Sequence, residues 1–428
     1  MRLRRRHVVP LCLVLGLLMA DLAAASGFGL FQHGGRAIGQ VGALTARAPD
    51  PSALTYNPAA ITQLEGLQAM AGLDFNNAED AYESPTGRFA ADHIIQFPPL
   101  AYLTWKPKDS SFALGIGLDA PFWYVEDWEP ALFPGRFISR RFMLRVYELH
   151  PVAAWEMGGG WSIGGGVRYL FGSMEQDDSI ISQFFIPGTG NVPVELERNA
   201  DADVDDLTYD LALHYTQPAW GWGVVYRGAA NLKGNGDLDF QPRNVPNIPG
   251  LQTQIDQRFG SGSSRQSFEI PRELRGGIWV APYPELRLEL DASWQSWSSL
   301  EATSITYSNP IGTLSEEIPR DWDDTISLRL GVEGEITEAF MLFGGVAYEP
   351  SPATGENAAP DFPRSDAMVY AAGFSYGFPQ ISFDVGYSFH EHNSRSVEGQ
   401  EPLTNPTRSG RYTSSDQVWG FGVRWRFQ

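Results

Sequence analysis

The chain has 428 residues, of which 31 are basic and 51 acidic, so its formal net charge at pH 7 is −20. Such an acidic chain repels phosphate backbones, which excludes nucleic acid as a partner. The only cysteine is Cys12, and one thiol forms no internal disulfide. Composition therefore excludes a disulfide scaffold and a nucleic-acid-binding protein.

The first residues have the pattern of a secretory signal peptide. Four arginines within the first six residues precede an apolar stretch from Val8 to Ala20, and alanines at positions 23–25 provide a cleavage site. A membrane anchor is the alternative, but this stretch is too short to cross roughly 30 Å of hydrocarbon as a helix. We predict that residues 1–25 are removed on export and that Cys12 leaves with them.

From Gly66 to the C-terminus, apolar and polar residues alternate with the period of a strand that has two different faces. Charges keep to the polar face, so Arg287, Arg329 and Asp384 are expected to point inward, because a cation facing lipid costs roughly 2–4 kcal/mol at the midplane. No linker divides the chain. The sequence predicts an all-β fold, a transmembrane antiparallel β-barrel of 14 strands, centred near residues 70, 101, 115, 148, 166, 211, 226, 275, 291, 330, 344, 371, 386 and 421.

The links between these strands alternate between short and long. This alternation predicts short periplasmic turns at one end of the barrel and long outer loops at the other. A soluble sandwich or propeller also alternates, but the chain shows no blade-length repeat. The long links lie near 76–95, 120–141, 176–204, 241–266, 303–324, 350–365 and 391–414.

Residues 26–65 do not alternate and are rich in glycine and alanine. Asn57 followed by Pro58 predicts a helix start, since Asn caps well and Pro is tolerated at the first helical position. Fourteen strands enclose a lumen too wide for wall side chains to fill. We therefore expect residues 26–65 to form a compact plug within the barrel formed by residues 66–428.

The chain resembles the FadL-type family of outer-membrane long-chain fatty-acid and hydrocarbon transporters over nearly the whole mature sequence. The resemblance rests on the mature start at Gly27-Phe28, on Asn57-Pro58-Ala59 before the first strand, and on an ordered run of short motifs between residues 270 and 390. These motifs are Pro271-Arg272-Glu273, Trp294-Gln295-Ser296-Trp297-Ser298, Pro319-Arg320-Asp321-Trp322-Asp323-Asp324, Tyr348-Glu349-Pro350-Ser351-Pro352 and Pro363-Arg364-Ser365-Asp366.

The resemblance implies a mechanism as well as a fold. Members of the family are barrels closed by an N-terminal hatch. Apolar outer loops capture the ligand, which passes to a pocket near the extreme N-terminus and leaves sideways at a kink in the third strand. Carried over to this chain, the hatch and gating residues are Ser26, Gly27, Phe28, Asn57, Pro58 and Ala59.

The third predicted strand, FALGIGLDAPFWYVEDW, is interrupted at Asp119-Ala120-Pro121. Proline donates no ladder hydrogen bond, so strand pairing breaks or bulges there. The resemblance implies a kink that opens sideways. The alternative is that Pro121 ends the strand and starts an outer loop.

Exposed apolar runs in the long links are predicted to capture the ligand, since a loop facing water otherwise has no reason to carry them. Mutual packing over the barrel mouth is the alternative. Arg168 and Arg329 are candidate partners for a carboxylate, although either would equally neutralise acids in the lumen. The capture residues are Phe122, Trp123, Tyr124, Leu132, Phe133, Ile180, Ile181, Phe184, Phe185 and Ile186.

We predict a hatch-gated outer-membrane transporter of long-chain fatty acids or similar hydrophobic compounds, acting as a monomer among outer-membrane lipid and lipopolysaccharide. The alternatives are a general diffusion porin and an outer-membrane esterase, although no motif supports catalysis. No cofactor or metal is predicted, because the pair His390 and His392 lacks an evident third ligand.

Overall fold

The computed structural model describes residues 27–29, 32–85, 87–128, 133–309, 312–353, 358–397 and 410–427. The predicted signal peptide lies outside these ranges, as do Ser26 and Leu132. The strands are β1 (Gly66–Ser84), β2 (Gly87–Ala90), β3 (Ile95–Gln96), β4 (Pro99–Lys106), β5 (Phe112–Asp127), β6 (Arg141–Gly158), β7 (Trp161–Ile186), β8 (Gly190–Gln217), β9 (Trp220–Arg227), β10 (Ala230–Arg243), β11 (Gly262–Ile270), β12 (Glu273–Tyr283), β13 (Leu286–Gln295), β14 (Ala302–Asn309), β15 (Gly312–Pro319), β16 (Thr325–Glu335), β17 (Phe340–Glu349), β18 (Ala367–Gly377), β19 (Ile381–His392), β20 (Arg395–Val397) and β21 (Gly410–Phe427).

Fourteen of these strands form one closed antiparallel ring. The ring runs β1–β4–β5–β6–β7–β8–β9–β12–β13–β16–β17–β18–β19–β21. It closes where β21 pairs with β1, from Leu67 opposite Phe427 to Glu83 opposite Arg411. Each predicted strand centre falls within one of the fourteen, so the prediction of a 14-stranded β-barrel is confirmed.

The two faces of the wall differ as the alternation predicts. Leu211 and Phe112 are about 60% exposed on the outer face, whereas Arg329 and Asp384 are buried inside and Arg287 is half-buried beside Glu333. Aromatic rings lie at two levels of the outer face. On β7 these levels are ten residues apart, at Trp161 and Phe171, roughly 33 Å along the strand and about 25 Å along the membrane normal after tilting.

The N-terminal segment lies inside the ring. It contains two short helices, α1 (Gly35–Gly39) and α2 (Ala53–Tyr56), followed by a 3-10 helix over Pro58–Gln63. Nearly every residue from 33 to 64 is buried, because the wall of the barrel surrounds the segment. No helix in the described ranges is long and apolar enough to cross a membrane.

Several long links predicted to be loops are instead an outward extension of the sheet. β7 and β8 continue as a hairpin to Ile186 and Gly190, and β10, β11, β14 and β15 pair beside them. The interpretation of residues 176–204 as a loop was therefore wrong. The period-two pattern of Val192, Val194 and Leu196 was the missed signal, since these side chains pack under helix α3 (Leu251–Arg258).

Candidate functional site

The N-terminal segment inside the ring, residues 33–64, is called the hatch below for its position, and the motif that the resemblance singled out holds it in place. Asn57 caps the 3-10 helix, with its side-chain oxygen accepting from the Ala59 amide at 3.1 Å. Its side-chain amide donates to the Thr45 carbonyl at 2.8 Å and to the Leu213 carbonyl of β8 at 3.4 Å. Asn57 thus joins two parts of the hatch to each other and to the wall.

Wall glycines allow the hatch to approach this closely. A Cβ on Gly164 of β7 would meet the backbone of Pro58 and Ala59, and one on Gly223 of β9 would meet the Thr45 carbonyl and the Asn57 amide. These glycines sit in regular strands, so it is the fit of the hatch and not a turn that requires them.

Charged contacts fix the hatch to β13 and β16. Arg36 contacts Glu333 at 2.5 Å, and Arg47 bridges Glu289 at 2.5 Å and Glu333 at 3.2 Å. The Thr45 amide donates to Asp291 at 3.0 Å. Because these groups are buried, breaking one partner leaves an uncompensated charge, which is strongly destabilising.

A second set of contacts joins the hatch to β1 and β5. The Gly34 amide donates to Asp74 at 2.9 Å, and His33 lies 3.4 Å from the same carboxylate. The Thr55 hydroxyl donates to Asp119 at 2.8 Å. Asp119, which precedes the interruption in the third barrel strand, therefore contacts the hatch directly.

An apolar cluster of buried side chains, which we call the pocket, lies above the hatch. Phe28 occupies its centre and is 2% exposed. A Cβ on Gly27 would collide with the Trp297 ring, so the backbone is pressed against the pocket wall. The rings around Phe28, with centroid separations from 4.8 to 6.5 Å, belong to Tyr124, Phe142, Phe268, Trp297, Trp322 and Phe362.

The pocket ends abruptly at a charged floor. On β6, Val146 lines the pocket, and the next inward residue, Glu148, forms an ion pair with Arg168. On β7, Arg168 lies below Leu170 of the pocket in the same way. Arg227 completes this floor beside Glu273, at 3.5 Å.

The predicted carboxylate partners both already have acidic partners. Arg168 pairs with Glu148, and Arg329 lies 3.2 Å from Glu349. Sequence reasoning named Arg320 only within a family motif and not as a carboxylate partner. Arg320 lies among the pocket rings, with its guanidinium carbon 5.7 Å from the Trp322 ring centroid, and contacts Asp361 at 2.7 Å.

The third barrel strand, β5, is bulged at the predicted interruption. Between Asp119 and Phe122 the register with β6 shifts, so that Ala120 and Pro121 together oppose Tyr147. β5 therefore continues to Asp127 and does not end at Pro121. The one extra residue displaces the edge of the strand at this point.

The bulge coincides with a break in strand pairing between β4 and β5, which we call the gap. In the described ranges, β4 pairs with β5 only as far as Leu118, whereas β2 and β3 pair with β1 instead. One backbone hydrogen bond, from Asp92 to Asp127 at 2.7 Å, spans the top of the gap. Gly29 forms an isolated antiparallel bridge with Phe122, so the N-terminal segment lies against the β5 edge.

The predicted capture residues are not brought together. Phe122 and Tyr124 line the pocket, whereas Trp123 faces outward against Tyr147. Residues 122–124 and 180–186 lie in strands, so their interpretation as loop residues was wrong. Phe133 stacks on Trp128 at 4.6 Å in a roof over the barrel.

The apolar residues of the outer hairpin divide by strand face. Phe184 and Ile186 pack beneath α3, with Ile180 beside them, whereas Ile181 and Phe185 are 59% and 65% exposed. The hairpin base is fixed by ion pairs, and a hydrogen bond from Arg136 at 2.7 Å keeps the pKa of Glu195 below its usual value.

A polar vestibule opens below the hatch at the opposite end of the barrel. It has a volume of about 890 Å³ and includes Arg36, Arg47 and Arg424 in its lining. No group of three or more metal-ligating side chains occurs in the described ranges. His392 instead contacts Asp416 at 3.0 Å.

The barrel, the filled lumen and the apolar pocket define an outer-membrane transport protein, and comparison with known proteins agrees. The family described as outer membrane protein transport protein (OMPP1/FadL/TodX) matches residues 16–428. The chain belongs to this family, and its location is the outer membrane.

Individual relatives are distant, and they match over different shares of their length. The long-chain fatty acid transport protein of Escherichia coli O157:H7 is 22% identical over 447 residues, covering 96% of each chain. Alkane uptake protein A of Marinobacter nauticus is 24% identical over 197 residues, which is 41% of this chain and 39% of the relative.

Solved structures share the fold. A Pseudomonas aeruginosa FadL homologue superimposes with a TM-score of 0.81 at 18% identity, covering 94% of this chain and 100% of that one. The Pseudomonas putida toluene transporter TodX has a TM-score of 0.73 at 14% identity, with 93% and 99% covered.

Proposed function

We propose that the protein takes up long-chain fatty acids or similar hydrophobic compounds across the outer membrane. The observation that carries this proposal is the aromatic pocket around Phe28. An enclosed apolar cluster offers few hydrogen bonds to replace the water around an ion or a sugar, whereas each CH₂ group buried there gains about 0.8 kcal/mol. The relatives named for fatty-acid transport and alkane uptake support the same substrate class.

Capture would begin on the outer extension. Ile181 and Phe185 are apolar and exposed on the hairpin, so a hydrophobic solute gains by contacting them. The roof around Trp128 and Phe133 would then have to part, because Trp128 follows the outer end of β5, beyond Tyr124 of the pocket. We assign the first contact to the exposed pair and the gating of entry to the roof.

Phe28 and Gly29 would couple binding to release. Phe28 fills the pocket that the ligand needs, and Gly29 holds the β5 edge at Phe122. A ligand that displaces Phe28 would pull the adjacent Gly29 away from that edge. The gap beside the bulge would then open sideways, and the ligand would enter the membrane, which it prefers to periplasmic water.

Residues 26–65 would act as the hatch that keeps this route from becoming an open channel. Asn57, Pro58 and Ala59 seat the hatch, while the N-terminal residues 26–28 respond to the ligand. The ring closes within one chain, so we propose a monomer as the working unit. A carboxylate at the pocket floor would compete with Glu148 for Arg168, or with Glu349 for Arg329.

Uptake of labelled oleate by cells with and without the gene tests this function. We expect gene-dependent uptake of oleate. In a planar bilayer we expect the purified barrel to show no large, steady ion conductance, because the hatch fills the lumen. A large steady conductance without gene-dependent uptake would identify a diffusion porin instead.

A further inference from the structure

A half-buried guanidinium faces the membrane beside the bulge. Arg145 of β6 stands opposite Trp123 of β5 and Ser173 of β7 in the sheet register. Its guanidinium carbon lies 5.5 Å from the Trp123 ring centroid. In the part of the chain that the structure describes, the Arg145 side chain takes part in no hydrogen bond or ion pair, and its Nε is buried without an acceptor.

The strand alternation places Arg145 outside the barrel. Leu144 and Val146 line the pocket, so Arg145 between them faces outward. Trp123 faces outward for the same reason, since Phe122 and Tyr124 are pocket residues. We call Arg145, Trp123 and Tyr147 the exit patch.

The exit patch lies beside the gap, because Trp123 is on β5, which forms one side of the gap, and Arg145 and Tyr147 are on the neighbouring strand β6. Tyr147 is the residue that the bulge at Ala120 and Pro121 opposes, and its ring meets Trp123 at 5.3 Å. Phe122, the neighbour of Trp123 on β5, lies in the pocket and pairs with Gly29. The pocket and the patch therefore lie on the two faces of the barrel wall, separated only by its backbone.

The patch also lies at the outer edge of the apolar band. Tyr147 stacks on Phe171 at 5.6 Å, and Phe171 stacks on Tyr169 at 5.5 Å. Such rings mark the interface between hydrocarbon and headgroups. Arg145 is two residues further outward than Tyr147, so it reaches the headgroup level, where a cation facing lipid is tolerated.

We propose that Arg145 receives the carboxylate of a fatty acid as the ligand leaves through the gap. The inference rests on the proposed uptake function. The tail of the ligand enters hydrocarbon favourably, but its carboxylate does not, so the charged end must stop at the interface beside a cation. Arg145 provides that cation, and the Trp123 ring holds the guanidinium in place.

The same chemistry would accept a phosphate of lipopolysaccharide. A cation that binds only lipid phosphate could stand anywhere around the outer face. The position of Arg145 beside the gap therefore favours the carboxylate of a leaving ligand. A neutral ligand with the same tail has no charge to deliver and should leave without this residue. Specificity for the head group therefore distinguishes the two sources.

The test compares oleate with oleyl alcohol, which has the same tail and a neutral head. Uptake of each labelled compound is measured for the wild type, Arg145→Gln, Arg145→Lys and the control Lys233→Gln, in cells lacking other uptake proteins for these compounds. Lys233 is an exposed cation on β10, away from the gap. Oleate binding to the purified proteins is measured in parallel.

We expect Arg145→Gln to lower oleate uptake at least fivefold and to change oleyl alcohol uptake less than twofold, with oleate affinity unchanged. Arg145→Lys should retain most of the uptake, and Lys233→Gln should match the wild type. Equal losses for both compounds would indicate anchoring to lipid phosphate or a structural role, and would overturn the proposal. Unchanged oleate uptake would also overturn it. If the wild type takes up neither compound, the proposed function itself fails.

Discussion

Phe28 is the residue on which the gating account depends most. It fills the pocket and makes aromatic contacts with residues from β5, β6, β11 and the outer links. Burying a phenylalanine side chain contributes about 1.5–3 kcal/mol, which a ligand must offset to displace it.

Phe28→Ala should therefore raise the affinity for oleate by about tenfold or more, since 1.4 kcal/mol corresponds to tenfold in a binding constant. Fluorescence displacement on the purified protein measures the change. Phe112→Ala removes an exposed ring from the outer face and serves as the control. Weaker binding in Phe28→Ala would show that Phe28 forms part of the ligand site instead of competing for it.

Asn57→Ala and Pro58→Ala should alter oleate uptake without preventing barrel assembly. The first change leaves buried partners of Asn57 without a hydrogen bond, which costs about 1–3 kcal/mol. This loss destabilises the position of the hatch in the barrel and leaves the hydrogen bonds between strands intact. Uptake assays, together with heat-dependent gel mobility as a measure of assembly, test both variants. Asn191→Ala, at an exposed position near the outer hairpin turn, is the control, and normal uptake in both hatch variants would reduce the motif to a plain helix start.

The sequence predicts the role of Asn57 but not most of the residues that line the pocket. Asn57 as a cap followed by proline was readable from local chemistry and is confirmed. The resemblance implied a pocket near the N-terminus, but most of its lining residues were not predicted, although β6 carries their signal: one face reads Phe142, Leu144 and Val146 and then Glu148. A lumen face that changes from apolar to charged within one strand indicates a pocket above a polar floor. The rings of Phe268 and Phe362 come from distant segments, and no local pattern brings them together.

At the scale of the element, β5 determines where the wall opens. Two residues opposing one partner leave the edge displaced, and the ladder to β4 stops at Leu118. The sequence showed that pairing must fail at Pro121. It did not show whether the strand continued, because residues 122–125 are apolar on both faces and only the partner strand fixes their register.

Deletion of Ala120 should convert the bulge towards a regular ladder and close the gap. We expect oleate uptake to fall at least tenfold while oleate binding persists, because the pocket lies inside the wall. Uptake and binding measured on the same variant separate release from capture. Deletion of Thr189 in the outer hairpin turn is the control, and unchanged uptake after the Ala120 deletion would rule out exit at β5.

In the outer extension, strands continue where the sequence analysis predicted loops. Long links were interpreted as loops because the strands were expected to end at the membrane boundary. The alternation of Val192, Val194 and Leu196 continues past that boundary because these residues find a second apolar layer under α3. An alternating pattern therefore indicates a sheet with two different faces, but it does not show where the membrane boundary lies. The positions of the aromatic rings on the outer face indicate that boundary.

At the scale of the whole molecule, the strand count, the closed ring and the need for a filled lumen all followed from patterning and physical constraints. The contacts that make the lumen a gate did not, because they join residues far apart in sequence. Thr45 with Asp291 and Gly29 with Phe122 are examples. The central claim is that the N-terminal segment must leave the edge of β5 for the ligand to pass.

A reversible crosslink between Gly29 and Phe122 tests this claim most directly. Paired residues of an antiparallel bridge lie about 4.5–5.5 Å apart between Cα atoms, within the range that a disulfide spans. The predicted mature chain contains no other cysteine, so the double variant Gly29→Cys with Phe122→Cys forms a single defined bond. We predict that oleate uptake is blocked under oxidising conditions and restored by a reductant, while each single-cysteine variant is insensitive to both. Full uptake with the crosslink formed would contradict the account.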